Sequence, residues 1–441
     1  MDRLIVLELN ELNFDLIQKY VDQYPTEFRN LSKLFEQFQC VQNTSEIRYQ
    51  ELEPWIQWVS AHTGKTFEEH SVYRLGDVEK DSFDHEQIYE KLEKMGLSIG
   101  VVSPMNAVNR MNNAAYFIPD PWTATKTDGS WLSKRFHEML KQTVNQNAEG
   151  HISLQSIVTL LISIIFVASF KNVTSLFRQL YVVVKNPKLK VLFLDLLIHM
   201  VHLKLWKRKH PDVSFLFLNG GAHLQHHYML NSKFIEKSEP NPEWYMPSNI
   251  DPLYFMLQTY DHILGDYLDL TINKKAAIVV STALRQIPHE KAIFYYRLRN
   301  HEDFLNSAGI VFRDVKPRMT RDFEVIFNND EERDNALVKL RGMKVDGKHQ
   351  LFGDFELRHN SLFLSLTYPH EVNEHTQITT LNGTEFLLYP SVVFVAIKNG
   401  KHDSVGYNYF DPVLQIQKFN DQDHIAILCE EISHQASLIK G

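Results

Sequence analysis

The run Val213–Leu218 is strand-like and almost wholly apolar, and it stops at Asn219-Gly220-Gly221, after which the chain offers Ala222-His223-Leu224-Gln225-His226-His227. A buried strand that ends in small residues and then presents polar side chains is how an open α/β sheet offers ligand groups at its carboxyl edge. The same kind of run recurs at 4–9, 97–103 and 276–281, with helical periodicity at 14–38, 55–63, 87–95 and 253–270 between them. Strands alternating with helices predict an α/β fold: a doubly wound, mostly parallel sheet flanked by helices.

Two stretches break the alternation. Residues 151–210 read as a helical hairpin insertion, and 286–390 as a small α+β cap insertion with strand-like runs and the charged helix 330–341. The core is then assembled from 1–150, 211–285 and 391–441. Within the first insertion, residues 152–170 carry no charge, which is close to the minimum for a bilayer span. A single crossing would divide one sheet between two sides of a membrane. The available return helix, 191–206, contains Asp195, His199, His202 and Lys204 and is costly to insert. The segment is therefore expected to be a buried or interfacial hairpin. The basic residues Lys204, Lys207, Arg208 and Lys209 suit peripheral contact with an anionic membrane through 152–209, and a homodimer is the other use of such an apolar surface.

Composition narrows the function classes. With 441 residues and 44% apolar content the chain can bury a large core, and its balance of 46 basic against 54 acidic residues gives no excess for holding a nucleic-acid backbone. Nucleic acid is not an expected partner. Cys40 and Cys429 alone make neither a disulfide framework nor a cysteine metal motif, which suits a reducing compartment. An apolar strand that begins at Leu4 argues against a secretory leader, so the expected location is cytoplasmic, membrane-associated if the insertion docks.

Several short motifs follow the strand ends in order. Asn10-Glu11 follows 4–9; then comes Glu53-Pro54-Trp55-Ile56-Gln57-Trp58-Val59-Ser60-Ala61-His62-Thr63-Gly64, with Glu69-His70-Ser71 just after; Asn219-x-x-x-His223 follows 213–218; Ser281-Thr282-Ala283-Leu284 follows 276–281; and His402 precedes Gly406. This succession resembles the alkaline phosphatase superfamily, within it the type I phosphodiesterase and nucleotide pyrophosphatase branch, nearly end to end. The resemblance implies a site in which Asp and His hold two zinc-type ions around a Thr or Ser nucleophile. It aligns Asn10 and Asn219 with metal-binding Asp, Thr282-Ala283 with an Asp-His pair, Pro54 with the nucleophile, and His223 and His402 with metal histidines.

The departures matter more than the matches. Neutral amides at Asn10 and Asn219 are weak ligands for a dication, and Pro54 has no nucleophilic side chain, so a standard dimetal site with a covalent intermediate is not expected. Carboxylates stand beside the lost positions: Glu8 and Glu11 flank Asn10, and Glu51 and Glu53 precede Pro54. With His223, His226, His227 and His402 they offer donors for one divalent metal, zinc or manganese, for which His223, His402 and Glu11 are the first choice of ligands. Glu53, His223 and His402 are the candidate catalytic groups, histidine for its near-neutral titration and Glu53 as orienting group or partner base. Asn10, Asn219, Arg48, Arg110 and Arg285 are the candidate substrate contacts, the arginines as clamps on an anion.

The leading expectation is a divergent hydrolase of a phosphate or sulfate ester or diester, acting on an anionic small molecule or a glycan in surface-polysaccharide metabolism. The alternatives are a metal-independent transferase or lyase on the same scaffold, and a catalytically inactive binding or scaffold protein.

Overall fold

The structure is a computed structural model and describes residues 3–145, 154–167, 170–273, 275–318 and 321–439. The chain forms two compact units, one of Met1–Ile235, Asn249–Pro288 and Gly400–Gly441, the other of Glu236–Ser248 and His289–Asn399.

The first unit is built on a seven-stranded sheet in the order Gln39–Asn43, Gly406–Phe410, Ala277–Ser281, Leu4–Leu9, Val213–Leu218, Ile99–Val102, Tyr116–Ile118. Leu4–Leu9 runs parallel to both of its neighbours, and Ile99–Val102 parallel to both of its own. Gly406–Phe410 is antiparallel to both strands beside it, so the sheet is mixed and mostly parallel with helices packed on it. Every residue of Leu4–Leu9, Val213–Leu218 and Ala277–Ser281 is buried, as near-continuous apolar runs covered on two faces must be. Their carboxyl ends, at Asn10, Asn219 and Thr282, lie side by side in register.

Local chemistry sets the helix boundaries. The periodic segment 14–38 is two helices, Phe14–Gln23 and Arg29–Gln37, because Pro25 forces the residue before it out of the helical region. Asn13 caps the first, its side chain accepting from the Leu16 amide. Helix Pro54–Thr63 starts with proline at its first position and stops at Gly64, whose φ of 71° is the left-handed cap that glycine adopts most easily.

Where a hairpin was expected at 151–210, the described residues form three α-helices, Leu154–Val167, Phe170–Lys185 and Lys190–Lys209, with Trp131–Asn145 before them. The polar side chains that make 191–206 a poor span are buried and partnered. His202 Nε2 lies 2.7 Å from Ser214 Oγ, and His199 Nε2 lies 3.1 Å from Asp266. Burial pushes His202 down to about 3, so it stays neutral. Among the described residues no helix is long and apolar enough to cross a membrane; of the charge-free run, residues 152, 153, 168 and 169 lie outside the described residues.

The second unit holds two four-stranded antiparallel sheets and the helix Asp330–Arg341, whose Asn329 cap accepts from the Glu332 amide. It starts at 289 and also takes in Glu236–Ser248, a segment that composition alone does not separate from the core.

Candidate metal centre

Glu11 is the first residue past the Leu4–Leu9 strand end to point a carboxylate at the sheet edge. Its backbone is left-handed, with φ of 57°, a conformation that costs a non-glycine residue roughly 1–2 kcal/mol. The surroundings hold it there. The Glu11 carbonyl accepts from Gln225 Nε2 at 2.9 Å and from the Gln286 amide at 3.1 Å, Oε1 accepts from Asn10 Nδ2 at 2.9 Å, and Oε2 accepts from Gln286 Nε2.

Two histidines converge on that carboxylate. His226 Nε2 lies 3.0 Å from Glu11 Oε2, His402 Nε2 lies 3.2 Å from it, and the two Nε2 atoms are 3.2 Å apart. Burial alone would raise the Glu11 carboxyl, but His402 and then His226 outweigh it and hold it well below the usual carboxylate range. The remote nitrogen of each ring faces an acceptor. His226 Nδ1 donates to the Gly400 carbonyl at 3.4 Å, and His402 Nδ1 stands 3.7 Å from Glu53 Oε2. For His226 that is the arrangement of a metal-ligating histidine, its outer nitrogen tied to a carbonyl so that the inner one presents its lone pair; for His402 the carboxylate stands at ion-pair distance only.

Glu11, His226 and His402 can therefore hold one metal ion. Zinc bonds of ~2.0–2.1 Å at tetrahedral angles place neighbouring ligand atoms ~3.3 Å apart, close to the 3.0–3.2 Å triangle seen here. A set of two His and one carboxylate also leaves a fourth position open, as catalytic rather than structural zinc sites do.

The other candidate residues fall in different places. Asn10 is buried and fully engaged: besides Glu11 it donates to Asn219 Oδ1 at 2.7 Å and accepts from Trp58 Nε1 at 2.8 Å. It positions Glu11 and Asn219. Glu53, at the start of helix Pro54–Thr63, reaches the centre through His402. His223 stands one helical turn before His226 on Gly220–Tyr228, outside the ligand triad, with its ring centroid 4.6 Å from that of His227. The histidine that completes the cluster able to hold an ion is thus His226, where His223 was the expected choice. The signal for it is the three-residue spacing on a helix, which lets either residue face the sheet edge.

The arginines do not converge on the centre. Arg48 is exposed and pairs with Glu51 at 3.3 Å; Arg110 donates to the carbonyls of Phe83 and His85; Arg285 is bound to Asp403 at 2.7 Å, to Tyr407 Oη at 2.7 Å and to Asp15. Each is committed elsewhere.

Sequence reasoning read Asp195 only as a cost to membrane insertion. It is fully buried on Lys190–Lys209 and accepts from the Gly220 amide at 2.9 Å and Tyr260 Oη at 2.6 Å, so a carboxyl of the chain itself occupies the amino end of helix Gly220–Tyr228. A β-carbon on Gly220 would come within 2.5 Å of Asp195 Oδ2, which is why the first residue after Asn219 has none. Burial pushes Asp195 up to about 7 against the lowering effect of these donors.

No family model matches the chain, and no curated protein matches it in sequence. Among solved structures, the phosphonoacetate hydrolase of Sinorhizobium meliloti 1021, in complex with phosphonoformate, aligns over 98% of this chain and 95% of its own at 12% identity and a TM-score of 0.41. Murine ectonucleotide pyrophosphatase / phosphodiesterase 5 aligns over 99% and 95% at 11% identity and a TM-score of 0.44.

Proposed function

We propose that the chain is a one-metal hydrolase of phosphate or sulfate esters or diesters, on a reworked site of the alkaline phosphatase type. The observation that carries this reading is the convergence of Glu11, His226 and His402 at the carboxyl edge of the sheet, each histidine with its outer nitrogen turned to an acceptor. Further support comes from the chain positions that resemble that superfamily's metal motifs: Asn10, Asn219 and Thr282 end three adjacent strands.

A zinc or manganese ion held there would polarise an ester oxygen and acidify a water. The chain supplies the rest. Pro54, first residue of its helix, offers no side chain to attack the ester, so water is the nucleophile and no covalent enzyme intermediate forms. Glu53 is the base that accepts the water's proton, beside His402 at 3.7 Å. Asn219 has its Oδ1 occupied by Asn10, which leaves Nδ2 as the group to donate to a substrate oxygen. The substrate is an anionic small molecule or a glycan bearing the ester, in surface-polysaccharide metabolism. With the arginines paired away from the centre, its charge is met by the metal and by neutral donors.

Peripheral membrane contact belongs to the same reading. Val158, Leu161 and Ile165 are exposed at helical spacing on Leu154–Val167, and Phe177, Leu180, Tyr181 and Val184 likewise on Phe170–Lys185. Such a stripe is covered in use, by lipid or by a second copy of the chain. Vesicle sedimentation of wild type against Ile165→Glu and Phe177→Glu, run beside sedimentation velocity, separates the two.

The hydrolase reading is tested by measuring metal content and the turnover of p-nitrophenyl phosphate, bis-p-nitrophenyl phosphate and p-nitrophenyl sulfate before and after chelation. Turnover that chelation abolishes and zinc or manganese restores is the expected result. A protein that binds no stoichiometric metal and turns over none of the three overturns it.

A further inference from the structure

Beside the metal centre lies a cavity of about 150 Å³ that the chemistry above does not use. Its walls are Trp122, Leu140, Val144, Leu194, Ile198 and Phe217, drawn from the loop after Tyr116–Ile118, from helices Trp131–Asn145 and Lys190–Lys209, and from the strand Val213–Leu218. Asn219 and His223 also line it. Asn219 links it to the centre through two hydrogen bonds, to Asn10 at 2.7 Å and from Asn10 to Glu11 at 2.9 Å. Asp195, which also borders it, accepts at Oδ2 from the Gly220 amide and Tyr260 Oη, so that oxygen is already met within the protein, and the polar lining is confined to Ser103, Asp195, Asn219 and His223.

We infer that this cavity receives a single aliphatic chain of the substrate, so that the ester cleaved at Glu11, His226 and His402 joins an anionic group to an alkyl or prenyl alcohol. The inference rests on the hydrolase reading and names its substrate class. A half-open pocket whose lining is mostly apolar favours an apolar guest over the water it would otherwise hold. Its position fits the chemistry. An ester oxygen near Asn219 directs its alcohol along Phe217 and Ile198, where a polyol would have to exchange water for apolar walls. One wall comes from helix Lys190–Lys209 of the inserted segment, which gives that segment a role at the site.

The test is calorimetric titration of the zinc-loaded full-length chain with inorganic phosphate and with ethyl, butyl, hexyl and octyl phosphate. Affinity should rise about fourfold per added methylene until the cavity is filled. Leu194→Trp and, as a second variant at the more open helix end, Val144→Trp should flatten that dependence, so that octyl phosphate binds no tighter than ethyl phosphate. Phosphate binding with a flat series in wild type overturns this inference alone, as does a chain-length dependence that survives in both folded variants. Failure of every member, inorganic phosphate included, overturns the hydrolase reading and this inference together.

Discussion

Removing His226 should empty the metal centre, and removing His223 should not. A four-ligand zinc site binds with roughly 10–16 kcal/mol at neutral pH, so one protein ligand is worth about 3–4 kcal/mol, roughly a hundred- to a thousandfold in affinity. His226 Nε2 forms two edges of the ligand triangle, at 3.0 Å to Glu11 and 3.2 Å to His402, and its loss leaves a two-donor pair. His223 is on the same helix but outside the triad, and its replacement by alanine should change zinc affinity by no more than about threefold, the scale of a lost packing or solvation effect of a fraction of a kcal/mol. The assay is competition for zinc against a chromophoric chelator, with elemental mass spectrometry of the purified chain as the stoichiometric check. Equal losses in His223→Ala and His226→Ala would refute the assignment, because no reading of this geometry makes the two equivalent. Full zinc retention in His226→Ala would refute the centre itself.

Glu53→Gln should lower metal affinity by about 10–100-fold, as loss of an outer partner of a ligand does, and lower kcat by a further factor if Glu53 is also the base; a change confined to metal affinity would leave it a positioning residue. Asn10→Asp replaces a donor to Glu11 Oε1 with a second carboxylate, so the chelated protein should lose about 1–3 kcal/mol of stability and recover it on adding zinc, read as Tm with and without metal. Asp195 has a folded pKa of about 7 against an ordinary 3.8, so the native state holds a proton that the unfolded chain releases, and its contribution to stability is complete below about pH 4 and is lost as pH rises towards 7. The difference is on the order of 4 kcal/mol, and urea melts of wild type and Asp195→Asn at pH 5 and pH 8 should show the slope in wild type and its absence in the variant. Gly220→Ala drives a β-carbon against the Asp195 carboxyl and should cost about 1–3 kcal/mol, measurable in the same melts.

The sheet was legible because its chemistry is local. Leu4–Leu9, Val213–Leu218 and Ala277–Ser281 are short apolar runs that end in turn residues, and nothing in a single sequence marks a buried parallel strand more clearly. Glu11 and His402 were legible as donors beside strand ends. What sequence hides is which way a helix faces. His223 and His226 differ by three residues on Gly220–Tyr228, and the rotation that chooses between them is fixed by distant partners: Asp195 against Gly220, and Leu12 and Tyr260 against Gly221. The arginines were lost for the same reason. Arg285 meets Asp403 and Asp15, which lie 118 and 270 residues away in the chain, so its side chain is spent on pairs that no spacing rule predicts. The helix Leu154–Val167 was blurred by composition, since a charge-free stretch has the same apolar content whether it crosses lipid or packs beside a sheet.

The placement of Glu11 bears on the choice between an enzyme and an inert scaffold. A scaffold has no use for a left-handed glutamate at a strand end, where glycine or asparagine would relieve the strain. Here the strained backbone is held at its carbonyl by Gln225 and by the Gln286 amide, and the side chain is held at both oxygens by Asn10 and Gln286, while His226 is tied back at Nδ1, His402 faces Glu53 there, and both Nε2 atoms face one carboxylate oxygen. Without a cation, two ring nitrogens 3.2 Å apart must share or shed a proton; with one, all three donors are satisfied at once. The amides that replace the carboxylates expected at Asn10 and Asn219 then have a physical role. A single ion held there would be balanced in part by Glu11 and would not need two further negative charges, and neutral amides that brace Glu11 suit such a site better than further carboxylates. Glu11, His226, His402 and the amides at Asn10 and Asn219 are in this sense mutually consistent as one cluster.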